Sequence, residues 1–548
     1  MLTQLAMLGR RLSGLLWRVW QGLAALVSPP QAGARDRATL FLPGESLSAE
    51  AKVADSESSV GSLSHLRPVA EIDKRYLSFS VDISVLAGGF WWEGTNDSRR
   101  GLGTLRIPPL KLTSAKLDRL VGLLGPAYLR VGGSEADKIH YFDNPEGSSD
   151  ALVLTREQWD ELHAFLQRNE LKLIFTCKYG LFKREHHGSW QGDELLKLLD
   201  YTRQQGYQIE VFELGNELNA YWAFHGLLSQ PRAINLARDY NRFFKVVRKD
   251  FPDAKISGPG SAFWPKLGET VRPISNITPR FLANLRFKLD IVDWHYYPFQ
   301  SDRSPVRTRR ARIHHLLDPK SFEYFHLYGN RLRALRDRFQ PQAEVWTGET
   351  GSAQCGGQPE LSDRWVSSFW WADQLGMGAR LGQRVMVRQS LIGGDYGMIV
   401  RLTLKPRPDY WVSWLWGQLM GTQVYAIDSS SPHLRCYLHS AKKGKGKTLL
   451  LINLAPHRVR IDLAPALANA IEGGYQMTAK NLTSRRVRLN DKKLRFRGGT
   501  VTLDDFEMLP FTGDVAPYSI SFWCCASGSK ERAESAEPTT DTDSKADL

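Results

Sequence analysis

The feature that most constrains the fold is a regular alternation of strand-like and helix-like segments between Tyr76 and Gln389. The strand-like segments are short and rich in branched apolar residues, which is typical of parallel strands buried on both faces. Eight strands are predicted, at 77–83, 127–131, 171–176, 209–214, 254–258, 289–295, 343–348 and 384–389. A doubly wound open sheet is the competing topology, but eight evenly spaced strands favour a closed (β/α)8 TIM barrel, an α/β fold.

The pattern changes near residue 408, and the chain of 548 residues is long enough for a second domain. Segments with a period of two, separated by turn residues, predict a C-terminal β-sandwich over 409–526. We therefore predict a catalytic barrel over 78–408, with residues 65–77 supplying an N-terminal strand that joins the sandwich.

The two ends of the chain differ in composition from the middle. Residues 1–27 combine arginines with an apolar stretch, which predicts a targeting or anchor segment. Arg18 and Gln21 interrupt that stretch, so it is not a clean membrane span. We predict a linker over 28–64 and an acidic disordered tail over 527–548. Three sequons are compatible with a glycoprotein: Asn96, Asn276 and Asn481.

With three arginines and no acidic residue, the N-terminal segment equally fits an amphipathic targeting helix, and we favour entry into the secretory route. The protein would then be secreted, lysosomal or membrane-anchored on the luminal or extracellular side. Membrane association through residues 1–27 belongs to the same prediction.

Composition excludes several classes of protein. An aromatic fraction of 11% excludes wholesale disorder, and the five cysteines form no CxxC pair that would indicate a zinc site. Neither a GxGxxG nor a GxxxxGK[ST] phosphate loop occurs. The net charge of +14 fits either a generally basic surface or a polyanionic partner such as nucleic acid, anionic lipid or a sulfated glycan. No nucleic-acid recognition motif accompanies the charge, so we predict no nucleic-acid partner.

Polar residues follow three of the predicted strands at their carboxyl ends, where barrel enzymes carry their active sites. The fourth strand leads into Asn216 and Glu217, the sixth into His295 and Tyr297, and the seventh into Glu349. Two carboxylates at one barrel mouth suit glycoside cleavage, which needs a proton donor and a nucleophile. Taken singly, an Asn-Glu pair also caps helices, and a buried histidine is also a normal core residue.

The segments FELGNELN, DWHYYP and WTGETGSAQCGG resemble signature segments of the heparanase and β-glucuronidase family of glycoside hydrolases. So do PAYLRVGGS, LSDRWVSSFWWADQLG and MVRQSLIGGDYG, and the resemblance extends over about residues 65–525. It implies a barrel with a β-sandwich, retaining hydrolysis of β-glucuronides, and neither metal nor cofactor. Leu218 departs from the pattern, because the family usually has proline there.

The resemblance also implies roles for individual residues. Glu217 would be the acid/base, Glu349 the nucleophile and Tyr297 the support of Glu349, while Asn216 would bind the 2-hydroxyl of the uronate. Asp82 and Ser134 fall where the family contacts sugar hydroxyls. The other implied substrate-binding residues are His295, Gln389, Gly394 and Tyr396, of which Gly394 and Tyr396 would bind the uronate carboxylate through backbone N–H groups.

The loop after the sixth strand carries five arginines, Arg303, Arg307, Arg309, Arg310 and Arg312. Its place on the catalytic face predicts contacts with sulfate and carboxylate groups, although a solvated basic loop has the same composition. Three functions remain open. They are an endo-β-glucuronidase that cuts an acidic glycosaminoglycan such as heparan sulfate, an exo-β-glucuronidase, and a non-catalytic heparan-sulfate-binding protein.

Overall fold

The computed structural model describes residues 36–42, 63–93, 105–144, 147, 151–181, 190–271, 275–496 and 499–526. The predicted targeting segment at 1–27 and the acidic tail at 527–548 lie outside these residues. None of the described helices is both long and apolar enough to cross a lipid bilayer.

The first domain is a closed barrel of eight parallel strands, which confirms the predicted fold class. Its strands, in chain order, are Leu77–Asp82, Tyr128–Gly132, Lys172–Cys177, Val211–Leu214, Lys255–Trp264, Ile291–Tyr296, Glu344–Thr350 and Met386–Arg388. Each strand pairs with its neighbours in sequence, and the first pairs with the eighth, which closes the sheet. All eight strands overlap the predicted ones.

A major helix follows each barrel strand. These helices are Ala115–Gly122, Arg156–Arg168, Asp193–Gln204, Ala233–Asp250, Thr278–Asn284, Pro319–Phe339, Trp365–Arg380 and Pro408–Leu419. Their start points follow from local chemistry. Thr155 and Gln158 form a capping box at the start of the second helix, and Asp318 followed by Pro319 begins the sixth.

The barrel interior has an apolar layer at the amino ends of the strands. It is made of Tyr128, Ile174, Val211, Ile291, Trp346, Val385 and Val387. Alternate residues of a strand point to the same side, so the inward side chains two positions further along lie one layer higher. In three strands these are Arg130, Glu213 and Asp293, all buried. The barrel is therefore apolar below and charged above, towards its carboxyl-end mouth.

The second domain consists of two packed sheets. The larger has eight strands, in the spatial order Ala70–Glu71, Met420–Tyr425, Leu434–Ala441, Lys447–Asn453, Ser519–Cys525, Ile471–Ala479, Val487–Leu489 and Lys492–Lys493. The smaller has four, in the order Asp428–Ser429, Asp36–Phe41, Val459–Leu463 and Asp514–Val515. An apolar core that includes Leu40, Leu449 and Ile461 lies between them.

One prediction for the N-terminal region needs correction. Residues 36–41 fall in the predicted linker, but they form a strand that pairs in parallel with Val459–Leu463. Its sequence, DRATLF, alternates polar and apolar residues only from Arg37 to Leu40, and Ala38 and Leu40 are buried in the sandwich core. Asp36 and Phe41 limit the alternating part to four residues, which is too short to be distinguished from a linker in the sequence.

Candidate active site

Glu217 and Glu349 lie at the same mouth of the barrel. Glu349 is part of the seventh strand, while Glu217 follows the fourth strand in the left-handed backbone region, with φ 51° and ψ 48°. That conformation is uncommon for a residue with a side chain and occurs often at functional sites. The two carboxylates and the His295 ring supply atoms that all lie within 4.8 Å of one another.

Both oxygens of the Glu349 carboxylate are held by hydrogen bonds. The Tyr297 hydroxyl donates to Oε1 at 2.6 Å, and Arg130 Nη1 donates to Oε2 at 2.7 Å. Arg130 and Glu349 form a buried ion pair, and the two donors fix the orientation of the carboxylate. Glu349 is thus held in one orientation beside the cavity, as a nucleophile requires.

Arg130 connects Glu349 with Glu213 and Asn216. It donates through Nε and Nη2 to Glu213 Oε2 at 3.0 and 2.8 Å, and through Nη2 to Asn216 Oδ1 at 2.9 Å. Thr176 donates to the same Glu213 oxygen at 2.7 Å. Burial raises the pKa of Glu213, but Arg130 and then His295 outweigh it and hold the pKa below its ordinary value.

Arg130 and Glu213 were missed in the sequence analysis, although a signal was present. Both are charged residues inside strands that are otherwise mostly apolar, and each comes two positions after an inward-facing apolar residue, Tyr128 or Val211. A charge at such a position must find a buried partner, since an isolated buried charge is very unfavourable. The same reasoning applies to Asp293.

His295 lies beneath the cavity, fully buried among carboxylates. Its Nδ1 is 3.4 Å from Glu217 and 3.9 Å from Glu349, and its Nε2 is 3.6 Å from Glu213. Burial lowers the pKa of His295, but Glu349, Glu213 and Glu217 outweigh it and raise the pKa to about 10. His295 therefore acts as a buried cation below the reacting groups.

The pKa of Glu217 is raised above its ordinary value of 4.5. Burial is the main cause, the charge of Glu349 adds to it, and the nearby His295 opposes it. Asp82 behaves similarly, since burial and the Glu349 charge raise its pKa to about 8. Glu217 is thus biased to carry a proton, as general acid catalysis requires.

Two groups of donor atoms have the spacing of a metal site, one with Glu213, Asp293 and His295, the other with Glu217, His295 and Glu349. Arg130 contacts a carboxylate in each group, and His295 belongs to both with a pKa of about 10. A metal ligand must be deprotonated, so these residues do not fit a metal ion.

A cavity of about 690 Å³ opens above the carboxylates. Of the predicted residues, those that line it are Asp82, Ser134, Glu217, Tyr297, Arg303, Glu349, Gln389 and Tyr396. Asn216 and His295 lie behind this lining, where Asn216 accepts a hydrogen bond from Arg130. Four tryptophans that were not predicted as site residues add apolar walls, namely Trp91, Trp92, Trp222 and Trp264.

Gly394 and Gln389 differ in their relation to this cavity. Gln389 lines it and donates through Nε2 to the Tyr396 hydroxyl at 3.2 Å. Gly394 is not among the lining residues; it packs against the Tyr396 ring, and its carbonyl accepts from Arg407 at 2.7 Å. Gly394 therefore lies beside Tyr396 and outside the cavity lining.

The arginine loop is less available to a ligand than its composition indicates. Arg303 lines the cavity but forms an ion pair with Asp395, and Arg312 pairs with Asp302 at 3.2 Å. Arg309 stacks over the Phe299 and Tyr324 rings. The two exposed arginines of the loop are Arg307 and Arg310. Ion pairs and ring contacts within the protein thus occupy Arg303, Arg309 and Arg312.

Comparison with known proteins gives a consistent result. The family described as "Glycosyl hydrolase family 79, N-terminal domain" matches residues 90–376. Heparanase-like protein 1 of Arabidopsis thaliana is 28% identical over 419 residues, which are 71% of this chain and 72% of that protein. Heparanase of Bos taurus is 28% identical over 78% of this chain and 84% of that protein. Baicalin-beta-D-glucuronidase of Scutellaria baicalensis is 25% identical over 83% and 90%.

Solved structures show the same fold at lower identity. A family 51 α-L-arabinofuranosidase from Bifidobacterium longum superposes with a TM-score of 0.59 and 14% identity. The superposition covers 90% of this chain and 100% of that one. A 4-O-α-L-rhamnosyl-β-D-glucuronidase from Fusarium oxysporum has a TM-score of 0.54 and 14% identity, over 84% of this chain and 95% of that one.

Proposed function

The chain belongs to glycosyl hydrolase family 79 and is a glycoside hydrolase, and we propose that it is a retaining β-glucuronidase. Relatives named heparanase and baicalin-β-D-glucuronidase support a glucuronide substrate. Glu349 is the nucleophile in this proposal, and Glu217 is the acid/base.

The observation that carries the proposal is the closeness of the two carboxylates, whose facing oxygens lie within 4.8 Å. Retaining glycosidases separate their carboxyl groups by about 5–5.5 Å, whereas inverting enzymes leave about 6.5–9.5 Å for a water molecule. The hydrogen bonds from Tyr297 and Arg130 also suit a nucleophile better than a base that must activate water.

The mechanism follows from these positions. Glu349 attacks the anomeric carbon while Glu217 gives its proton to the leaving oxygen, so the C–O bond breaks and a covalent glycosyl–enzyme forms. Glu217, now ionised, then takes a proton from water, and the water oxygen displaces Glu349. The second inversion restores the original configuration, and the proton taken from water returns Glu217 to its protonated starting state.

For the substrate we propose internal cleavage of an acidic glycosaminoglycan such as heparan sulfate. The relatives named heparanase, the net charge of +14 and the exposed Arg307 and Arg310 on the catalytic face support this choice. Exo-cleavage of smaller glucuronides is the second candidate. It is favoured by the neutralisation of Arg303 by Asp395 and by the tryptophans of the cavity wall.

The size profile of heparan sulfate after incubation with the purified protein tests this choice, with a small aryl β-glucuronide assayed in parallel. We expect fragments of intermediate size from the polymer. Release of the aryl alcohol with intact polymer would instead assign exo-cleavage. Tight binding of the polymer without cleavage of either substrate would contradict the enzymatic proposal and favour a non-catalytic binding protein.

The pH dependence of kcat/KM is a second test. Glu217 must be protonated to act as the acid, so activity falls as the pH rises through its pKa. Because burial and Glu349 raise that pKa above 4.5, we expect an acidic optimum with an alkaline limb centred above 4.5. With an aryl glucuronide whose leaving group needs no proton, Glu217→Gln should abolish this limb. Full activity that persists well above neutral pH would contradict the assignment.

A further inference from the structure

The sandwich carries an exposed basic hairpin that the active site does not use. Between residues 480 and 495 the sequence KNLTSRRVRLNDKKLR holds seven basic residues and one acidic residue. It forms the edge strands Val487–Leu489 and Lys492–Lys493 of the larger sheet. Val487 and Leu489 are buried, and the basic side chains before, between and after them are exposed: Arg485, Arg486, Arg488, Lys492, Lys493 and Arg495. We call these six residues the basic hairpin.

Two of these cations face each other directly. Arg488 pairs with Lys493 across the two strands, so their side chains lie on the same face as close neighbours. Like charges in that position are unfavourable for the sheet. Asp504, Asp505 and Glu507 lie on a neighbouring turn, yet in the described part of the chain only Arg485 of the basic hairpin has a carboxylate within 4.0 Å.

Arg485 fixes the basic hairpin to the barrel. It forms an ion pair at 2.6 Å with Asp363, whose side chain is fully buried, and Arg364 donates to the Thr483 carbonyl. Thr483 and Arg364 line a second cavity of about 700 Å³. The chain therefore leaves the lining of that cavity at Thr483, two residues before the first arginine of the basic hairpin.

The second cavity adjoins the catalytic one. Asp302 and Gln358 line the second cavity and hydrogen-bond to each other at 2.7 Å. Arg303, the next residue, lines the catalytic cavity and donates to the Gly357 carbonyl at 2.9 Å. Residues adjacent in sequence, Asp302 with Arg303 and Gly357 with Gln358, thus lie between the two cavities, and the second cavity is on the side of the catalytic site where Thr483 lies.

We propose that the basic hairpin is a remote binding site for an acidic polysaccharide, which holds a long chain while another part of it occupies the catalytic cavity. The choice of glycan rests on the proposed function. Several exposed cations without carboxylate partners suit a flexible polyanion, because binding releases counterions from the polymer and avoids breaking internal ion pairs. The cost of placing Arg488 opposite Lys493 is then offset by the bound anions.

Binding is best measured on the full chain carrying Glu349→Gln, so that the polymer is not cut and the result does not depend on hydrolysis. The test variant adds Arg488→Gln and Lys493→Gln. The control adds Lys443→Gln and Lys445→Gln, which remove the same charge from an exposed turn of another hairpin in the same sheet. Thermal unfolding verifies that both variants fold.

We expect the test variant to bind long heparan sulfate chains about tenfold more weakly, with the salt dependence of log K reduced by roughly two, and the control to bind like the parent. An equal loss of affinity in both variants would overturn the proposal, because the net charge of the protein, and not the basic hairpin, would then determine binding. Unchanged binding by the test variant would leave these charges as protection of a sheet edge. Tighter binding of the parent to duplex DNA than to heparan sulfate at equal salt would assign the surface to nucleic acid.

Discussion

Replacing Glu349 with glutamine should lower kcat by about 10⁴-fold or more, because an amide cannot form the glycosyl–enzyme bond. Glutamine has nearly the same shape and keeps an oxygen for Arg130 and a polar group for Tyr297. The fold should therefore survive, which thermal unfolding verifies. The change in kcat on an aryl β-glucuronide then measures the loss of the catalytic step alone. Glu135→Gln is the matched control, since Glu135 lines the same cavity but pairs with Lys138 at 2.7 Å.

The stereochemistry of the reaction makes this test specific. Proton NMR of the first product formed by the native protein should show the β-anomer of glucuronate, as two inversions require. In Glu349→Ala, azide should restore cleavage of an aryl glucuronide and give an α-glucuronyl azide, because one inversion remains. An α-configured first product from the native protein, or a mutant that keeps more than a few per cent of kcat, would contradict the role of Glu349.

The barrel could be predicted because each of its signals is local. The strands are short segments rich in branched apolar residues, and caps such as Thr155 with Gln158 mark where helices begin. The strand at 36–41 escaped prediction for a physical reason. It has only two buried apolar side chains at its centre, and its partner Val459–Leu463 lies more than 400 residues away in the chain. Nothing local indicates such a pairing.

The candidate site was predictable where polar residues interrupt the end of a strand, as at Glu217, His295 and Glu349. It was not predictable where partners meet only after the barrel closes. The arginine loop illustrates this, because Asp395 lies more than 90 residues beyond Arg303 and neutralises it. A charge count therefore indicates which loop is basic, whereas only the fold shows which charges remain available.

The most consequential residue that sequence reasoning missed is Arg130, and its replacement has the second large expected effect. Arg130→Leu leaves Glu213 and Glu349 buried without their cation. Loss of one partner of a buried ion pair costs about 3–5 kcal/mol. The free energy of unfolding, measured with urea at neutral pH, should therefore be lower by that amount in Arg130→Leu. Arg130→Lys keeps the charge but lacks the guanidinium geometry, and we expect a 10²-fold or larger loss of kcat with a smaller loss of stability, on the order of 1–2 kcal/mol.

The pH dependence of that destabilisation tests the electrostatic origin. Arg130 holds the pKa of Glu213 below its ordinary value in the folded state. The stability this confers is present above the pKa of the unfolded state and is lost as the pH falls towards the folded-state value. Without Arg130, Glu213 can fold in its neutral form, so the stability difference between native protein and Arg130→Leu should shrink as the pH falls below about 4.5. A difference independent of pH would instead indicate lost packing.

A double variant separates the structural role of Arg130 from its role in the reaction. Arg130→Leu with Glu213→Leu removes the buried pair together, and replacement of buried ion pairs by apolar residues is often neutral or stabilising. We therefore expect the double variant to regain much of the free energy of unfolding lost in Arg130→Leu. It should not regain kcat, because Glu349 still lacks the donor to its Oε2. Recovery of both would contradict the view that Arg130 positions the nucleophile, and recovery of stability alone would establish it.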